Sequence, residues 1–245
     1  SNALSMARRA IRAVIFDLDG TLLDTETISS QAVQRVLDPF GCKFFDQDKG
    51  TDDWEIKSKI LGLRSAEWTR MVIEHYGLEG RLTSAELTDG WHRHCAELYP
   101  TVRALPGALQ LIEHLTSTGV PCAIATSSYA SAVAQKRAAH PDLFAPVHLI
   151  VCGDDEEVKE GKPAPDIFLV AAGRLGVPPE ECLVFEDSKS GVAAGLAAGM
   201  QVVAVPDPRV EDGTFADATV VLKSLEAFDP SAFGLPSLTG GTKEG

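Results

Sequence analysis

The chain has 245 residues, 44% of them hydrophobic and 23% charged, with a formal net charge of −13. That length buries a sizeable core and suits one domain carrying an insertion, or two unequal domains. So acidic a chain is not made to neutralise a phosphate backbone, which argues against a nucleic-acid polymer as partner but leaves a small phosphate ester open. No apolar run approaches the ~20 residues of a membrane helix, so no membrane association is expected. Five scattered cysteines (Cys42, Cys95, Cys122, Cys152, Cys182) show no CxxC spacing. They read as reduced thiols in the cytoplasm rather than as a zinc site or a disulfide framework. Ser1-Asn2-Ala3 reads as an expression scar, and residues 1–6 are set aside.

Ala13-Val14-Ile15-Phe16 is a short unbroken apolar run, which predicts a strand buried in a parallel sheet. It runs directly into Asp17-Leu18-Asp19-Gly20-Thr21. Ligands of parallel sheets bind beyond the carboxyl ends of the strands, where Asp17 and Asp19 fall. Two carboxylates that close repel unless a cation or a shared proton lies between them. The pattern then turns helical. Ile28, Ala32, Val36 and Phe40 recur every four residues until Gly41. Trp54 to Leu61 predicts a shorter helix. Trp68, Met71, Val72 and Tyr76 mark a third, with Ser65 as its N-cap and Gly77 past its end. Thr83 and Glu86 have capping-box spacing ahead of Leu87, Trp91, Cys95 and Leu98. Residues 27–101 therefore read as helices without strands, an insertion into an α/β chain.

Alternation resumes at Pro106, read as a first helical position before Leu109, Ile112 and Leu115. A strand at Val120 to Ala125 ends in Thr126-Ser127-Ser128. A polar, Ala-rich helix (Ala130 to Ala139) and a strand at His148 to Cys152 follow. The next loop carries Gly161-Lys162-Pro163, then a helix marked by Ile167, Phe168, Ala171 and Leu175. Strand Cys182 to Phe185 ends in Glu186-Asp187-Ser188. A small-residue helix, a strand at Gln201 to Val205 and an edge strand at Thr219 to Leu222 complete the pattern. This predicts an α/β fold with a doubly wound, Rossmann-like parallel sheet. Its core is residues 7–26 and 102–236, with an inserted all-α domain at 27–101 and a flexible tail at 237–245.

Taken singly, Thr126 reads as a helix cap, Lys162 as a solvated lysine and Glu186-Asp187 as acids at a helix start. Together with Asp17 and Asp19 they all stand at strand ends along one sheet edge. That set suits phosphoryl transfer through a carboxylate, which holds the group as an aspartyl phosphate. Mg²⁺, with its preference for oxygen ligands, would take Asp17 and Asp187, and Lys162 would add positive charge. Asp19, two residues on, suits proton transfer to the leaving oxygen and from water. The Thr126 hydroxyl would hold phosphoryl oxygens in line.

FDLDGTLLDTE, the Thr ending CAIATSS, GKPAPDIF and VFEDSKSG together resemble the four signature motifs of the haloacid dehalogenase superfamily. The helical insertion resembles its α-helical cap. GDDEEVKEGKPAPDIF, LVFEDSKSGVAAGLAAGMQVVAVPD and FGLPS are similar to a eukaryotic group of pseudouridine-5′-phosphatases and glycerol-3-phosphatases. The resemblance implies a phosphatase with Asp17 as nucleophile, Asp19 as acid/base, and Thr126 and Lys162 on the phosphoryl group. It implies a Mg²⁺ held by Asp17, the backbone carbonyl of Asp19, Asp187, and Glu186 directly or through water. Leu61-Gly62-Leu63-Arg64-Ser65 resembles the cap loop that faces the site, with Arg64 toward the leaving group. The expected substrate is a small soluble phosphate ester such as pseudouridine 5′-phosphate, and the expected state a monomer. Glycerol 3-phosphate hydrolysis, a phosphomutase and a non-catalytic binding module are the competing readings. His92 and His94 read as helix-face residues.

Overall fold

The computed structural model describes residues 10–238. The apolar runs become strands: β1 (Ala13–Phe16), β4 (Cys122–Ala125), β5 (Leu149–Val151), β6 (Cys182–Glu186), β7 (Gln201–Ala204) and β8 (Val220–Val221). They form one sheet in the order β5-β4-β1-β6-β7-β8, with every pairing parallel. Side chains alternate between the two faces. Val14, Phe16, Ile124 and Phe185 pack with Leu111, Ile112 and Leu115 of α5 (Ala108–Ser117). Ala13, Ile15, Ala125 and Val184 pack with Phe168 and Ala171 of α8 (Asp166–Leu175) and Val192 and Ala194 of α9 (Lys189–Ala197). Burial on both faces is why these strands carry unbroken apolar runs rather than an alternating pattern. Helix α6 (Ala130–Ala139) and the single turn α7 (Pro141–Phe144) connect β4 to β5.

The winding positions the site. From β1 the chain moves out to β4 and β5 on one side, then returns to lay down β6, β7 and β8 on the other. Adjacent crossovers leave β1 in opposite directions, which opens a crevice at its carboxyl end. Asp17 is the first residue past that end.

Between β1 and β4 stand α1 (Thr25–Leu37), α2 (Trp54–Ile60), α3 (Ser65–His75) and α4 (Ser84–Leu98). They hold an apolar cluster of their own, including Leu37, Phe44, Ile56, Val72, Leu78 and Leu87. Trp91 packs against this cluster and against the sheet-side cluster as well. The segments that enter and leave the insertion are hydrogen-bonded to each other. Asp24 N–H donates to Arg103 C=O at 2.8 Å and Leu105 N–H to Leu22 C=O at 2.9 Å, flanking an antiparallel bridge between Leu23 and Ala104.

Three local expectations are corrected. The insertion is not strand-free: β2 (Phe45–Asp46) and β3 (Thr51–Asp52) pair antiparallel across a turn. Strands of two residues are too short to show a period in sequence. What holds the hairpin is a side chain on a helix. Gln34 Oε1 accepts the Phe44 and Phe45 N–H groups at 2.7 and 2.8 Å, and its Nε2 donates to Asp38 Oδ1 and Cys42 C=O. Next, Ser65 is the first helical residue of α3 and Arg64 the N-cap, because the Glu67 carboxylate accepts the Arg64 N–H. Finally, α5 starts at Ala108 rather than Pro106. Gly107 breaks the helix with φ +84, and a side chain there would collide with the backbone of Glu226.

Gln34→Leu would leave two buried N–H groups without acceptors, at ~1–3 kcal/mol each. Urea unfolding is expected to show a loss of ~2–5 kcal/mol, and a loss below ~1 kcal/mol would remove Gln34 as the anchor of the hairpin.

Candidate active site

The crevice gathers side chains from the ends of three neighbouring strands. Asp17 follows β1 and is 5% exposed. Its Oδ1 lies 2.5 Å from Lys162 Nζ, and Lys162 also donates to Glu186 Oε1 at 2.7 Å and to Ala125 C=O at 3.2 Å. The ammonium sits over the Phe168 ring, 4.9 Å from its centroid. Lys162 reaches inward from the loop before α8, where its bond to Pro163 is cis. Glu186, the last residue of β6, uses its other oxygen to accept the Ser188 N–H and hydroxyl, each at 2.9 Å. Ser188 in turn caps α9 through Gly191 N–H. Gly191 has no room for a side chain, since a methyl group would overlap the Glu186 carboxylate.

Asp187 is the remaining carboxylate, touched by the Thr21 hydroxyl at 3.4 Å. It lies against Gly20, where the chain turns with φ +81 and a side chain would occupy the place of Asp187. Asp19 faces the other way. Its Oδ2 accepts from Thr126 Oγ1 (3.0 Å) and Ser128 Oγ (2.8 Å), and its Oδ1 lies 2.5 Å from Lys136 Nζ.

Electrostatics divide these acids. Burial pushes the Asp17 carboxyl up, Lys162 pulls it down and Glu186 and Asp19 push again, leaving it raised to about 7. Burial raises Asp187 as well, with Glu186 and Asp17 adding to it. At Asp19 burial also pushes upward, but Lys136 and the two hydroxyls outweigh it and hold this carboxyl below its ordinary value. Burial would lower the Lys162 ammonium, yet Asp17 and Glu186 keep it well above the usual lysine value. Three acids therefore share one ammonium at the Asp17 end, a surplus of negative charge that calls for a cation.

Above the crevice opens a cleft of about 1510 Å³ between the sheet and the insertion, with Trp54, Lys59, Leu63, Trp91 and Tyr99 among its lining residues. At its rim Arg209, in the loop after β7, pairs with Asp207 and with Asp52 of β3, and stacks over Trp54 at 4.1 Å.

The structure thus brings Asp17, Asp19, Thr126, Lys162, Glu186 and Asp187 together. It does not bring Arg64 there. Leu61, Gly62, Leu63 and Ser65 line the cleft, whereas Arg64 is exposed at the start of α3. Lys59 of α2 lines the cleft instead and pairs with Glu55. Thr126 is not a helix cap, since α6 begins at Ala130 and the Thr126 hydroxyl serves Asp19 and Ser128 N–H. Sequence reasoning missed Ser128 and Lys136. The lysine lies three residues after Val133, on the buried face of α6, but one apolar residue is too little to mark that face in the sequence.

Comparison with known proteins gives the family. A family model described as haloacid dehalogenase-like hydrolase matches residues 11–199, and the chain belongs to that family. Within it, the chain is a phosphatase. It is 44% identical to the Drosophila melanogaster protein called "Probable pseudouridine-5′-phosphatase", covering 96% of this chain and 100% of that one. It is 39% identical to (DL)-glycerol-3-phosphatase 2 of Arabidopsis thaliana, covering 96% of this chain and 95% of the relative. Among solved structures, a haloacid dehalogenase family hydrolase from Deinococcus radiodurans, with bound phosphate and sodium, superposes with a TM-score of 0.72 at 29% identity. That match covers 93% of this chain and 99% of the other. Among the described residues no helix is long and apolar enough to cross a membrane.

Gly20→Ala tests the packing of Asp187. Displacing a reacting-site group by ~1 Å costs on the order of 10²-fold, so kcat/KM is expected to fall by about that factor while the circular dichroism spectrum stays unchanged. Wild-type kinetics in Gly20→Ala would mean that the placing of Asp187 is irrelevant to turnover.

Proposed function

We propose that this phosphatase is Mg²⁺-dependent and hydrolyses a small soluble phosphate ester through a phosphorylated Asp17. The observation that carries the reading is the placing of Asp17. It is nearly buried at the carboxyl end of the central strand, its Oδ1 on Lys162, with further carboxylates on both flanks. Among the described residues no three acidic, His or Cys side chains form a complete metal cage. Mg²⁺ does not need one, because it uses one or two carboxylates and fills its shell with waters and substrate oxygens. The surplus of buried acids and the all-oxygen donor set fit that ion. Asp17, Asp187 and the Asp19 carbonyl would hold it, whereas both Glu186 oxygens are already engaged by Lys162 and Ser188. When bound, the ion neutralises charge between a carboxylate nucleophile and a phosphate dianion.

The chain's own groups do the rest. Lys162 orients Asp17 and lends positive charge to the phosphoryl group, and the Thr126 hydroxyl, donated to Asp19 here, would turn to a phosphoryl oxygen. Asp17 attacks phosphorus as the ester P–O bond breaks, and Asp19, ionised until it takes the remaining proton of a monoprotonated phosphate ester, passes that proton to the leaving oxygen. Water then attacks the aspartyl phosphate, its proton passes to Asp19, and Asp17 is released with inorganic phosphate.

The helical insertion would act as the cap that selects the leaving group. Pockets for drug-sized ligands run ~300–1,000 Å³, so a cleft of about 1510 Å³ has room for a nucleoside and is far larger than glycerol needs. Trp54, Trp91 and Tyr99 add aromatic surface to its lining, with one face of Trp54 under Arg209 and one face of Tyr99 on Lys136. These features, with the pseudouridine-phosphatase relative, favour a pseudouridine 5′-phosphate-type ester over glycerol 3-phosphate. The five cysteines are free, which fits a reducing, cytoplasmic setting, and the proposed state is a monomer.

Asp17→Asn is expected to abolish turnover, since an amide cannot form the acyl phosphate. Retention of more than a few per cent of wild-type kcat, set against a general acid–base contribution of ~10²–10⁴-fold, would place the nucleophile elsewhere. EDTA should silence the enzyme and Mg²⁺ restore it, with full activity in excess chelator refuting the metal requirement. The substrate class is decided by kcat/KM for pseudouridine 5′-phosphate and glycerol 3-phosphate on one preparation, scored as free phosphate released. A preference for glycerol 3-phosphate reverses the choice, and a sugar phosphate isomerised without phosphate release would identify a mutase.

A further inference from the structure

Lys136 has no part in the reaction as drawn, yet it is placed more tightly than most groups that do. Its side chain is 1% exposed, on the inward face of α6. The ammonium lies 2.5 Å from Asp19 Oδ1, 2.8 Å from Ser128 Oγ and 4.7 Å from the centre of the Tyr99 ring. Burying an ammonium costs more than burying an apolar side chain of similar volume, even when it is paired. Packing therefore gives no reason for a lysine at this position.

What the lysine does is settle the direction of Asp19. Oδ2 receives two neutral hydroxyls, which hold it less strongly than a charged donor does. Oδ1 receives a buried, charged donor whose side chain is 1% exposed. It is braced from behind by Tyr99 and from the side by Ser128. We propose that Lys136 is a positioning residue that fixes the aim of the Asp19 carboxylate for its two proton transfers. This rests on the reading of Asp19 as the proton-transfer group. In the first step Asp19 relays a proton, taken from the monoprotonated phosphate ester, to the ester oxygen as Asp17 gains the phosphoryl group. In the second a proton of water goes to Asp19 as the Asp17–phosphorus bond breaks. Lys136 keeps its own protons throughout.

A positioning role is separated from a structural one by a double-mutant cycle of Lys136→Met and Asp19→Asn, with folding followed by circular dichroism and Tm. The substrates are p-nitrophenyl phosphate, whose leaving group needs little protonation, and whichever of pseudouridine 5′-phosphate and glycerol 3-phosphate is turned over faster. On the alkyl ester, Lys136→Met is expected to lower kcat by about 10- to 100-fold with KM little changed, and by less on p-nitrophenyl phosphate. In the Asp19→Asn background the same substitution should cost less than ~3-fold, because two groups acting as a unit are not additive. Equal losses in both backgrounds, or an unimpaired Lys136→Met beside an impaired Asp19→Asn, would overturn the proposal alone. An unimpaired Asp19→Asn would overturn the proton-transfer reading, and this proposal with it. Should Lys136→Met fail to fold, Lys136→Gln enters the same cycle with the same criteria.

Discussion

The ion cluster of Asp17, Lys162 and Glu186 is the constraint to which the rest of the crevice is fitted. Removing charges from water costs several kcal/mol each, and only close pairing with further hydrogen bonds compensates for it. The fold supplies these. Ala125 C=O takes a third contact from Lys162, Phe168 lies beneath the ammonium, and Ser188 holds the far side of Glu186. Each supporting group comes from a different element, so the cluster requires β1, β4, β6 and α8 to be in register at once. Gly20 and Gly191 belong to the same requirement, since they let the chain pass close enough for Asp187 and Glu186 to sit where they do.

Much of this was legible in the sequence because parallel strands announce themselves twice. The apolar run reports burial on both faces, and the polar residues immediately after it report the edge where ligands bind. Asp17, Asp19, Thr126, Glu186 and Asp187 were visible on that ground, and Lys162 through the motif around it. What could not be read was whatever depends on a distant partner. The β2–β3 hairpin rests on Gln34, a residue that reads as the polar face of a helix. Lys136 sits in a helix so rich in alanine and polar residues that no strong amphipathic face singled it out. Arg64 failed for the opposite reason. It lies in the right loop, but Glu67 binds its backbone N–H and the loop offers Leu61, Gly62, Leu63 and Ser65 to the cleft instead.

Asp17 and Asp19 show how two carboxylates in adjacent turns of one loop acquire different characters. Period-two alternation past the strand end would point them the same way. The turn at Gly20 and the bridge of Asp19 to Leu23 break that alternation, and Asp19 finds α6 while Asp17 finds the loop before α8. One acid meets a lysine it must share with Glu186, and the other meets a lysine and two hydroxyls on which no other acid among the described residues draws.

The two segments that join the insertion to the sheet are hydrogen-bonded as a short antiparallel ribbon, at Leu22 to Asp24 and Arg103 to Leu105. Two independent tethers would let the insertion swing, slide and twist. A paired ribbon resists shear, because sliding one segment past the other breaks its ladder, but it bends across its thin direction. It behaves as a leaf spring, with one soft axis. On the opposite lip, Arg209 ties Asp207 of the sheet side to Asp52 and Trp54 of the insertion. The insertion is thereby fastened to the sheet on two sides, by a backbone ribbon on one and a side-chain clasp on the other, and Asp19 is bridged to Leu23 of the ribbon itself.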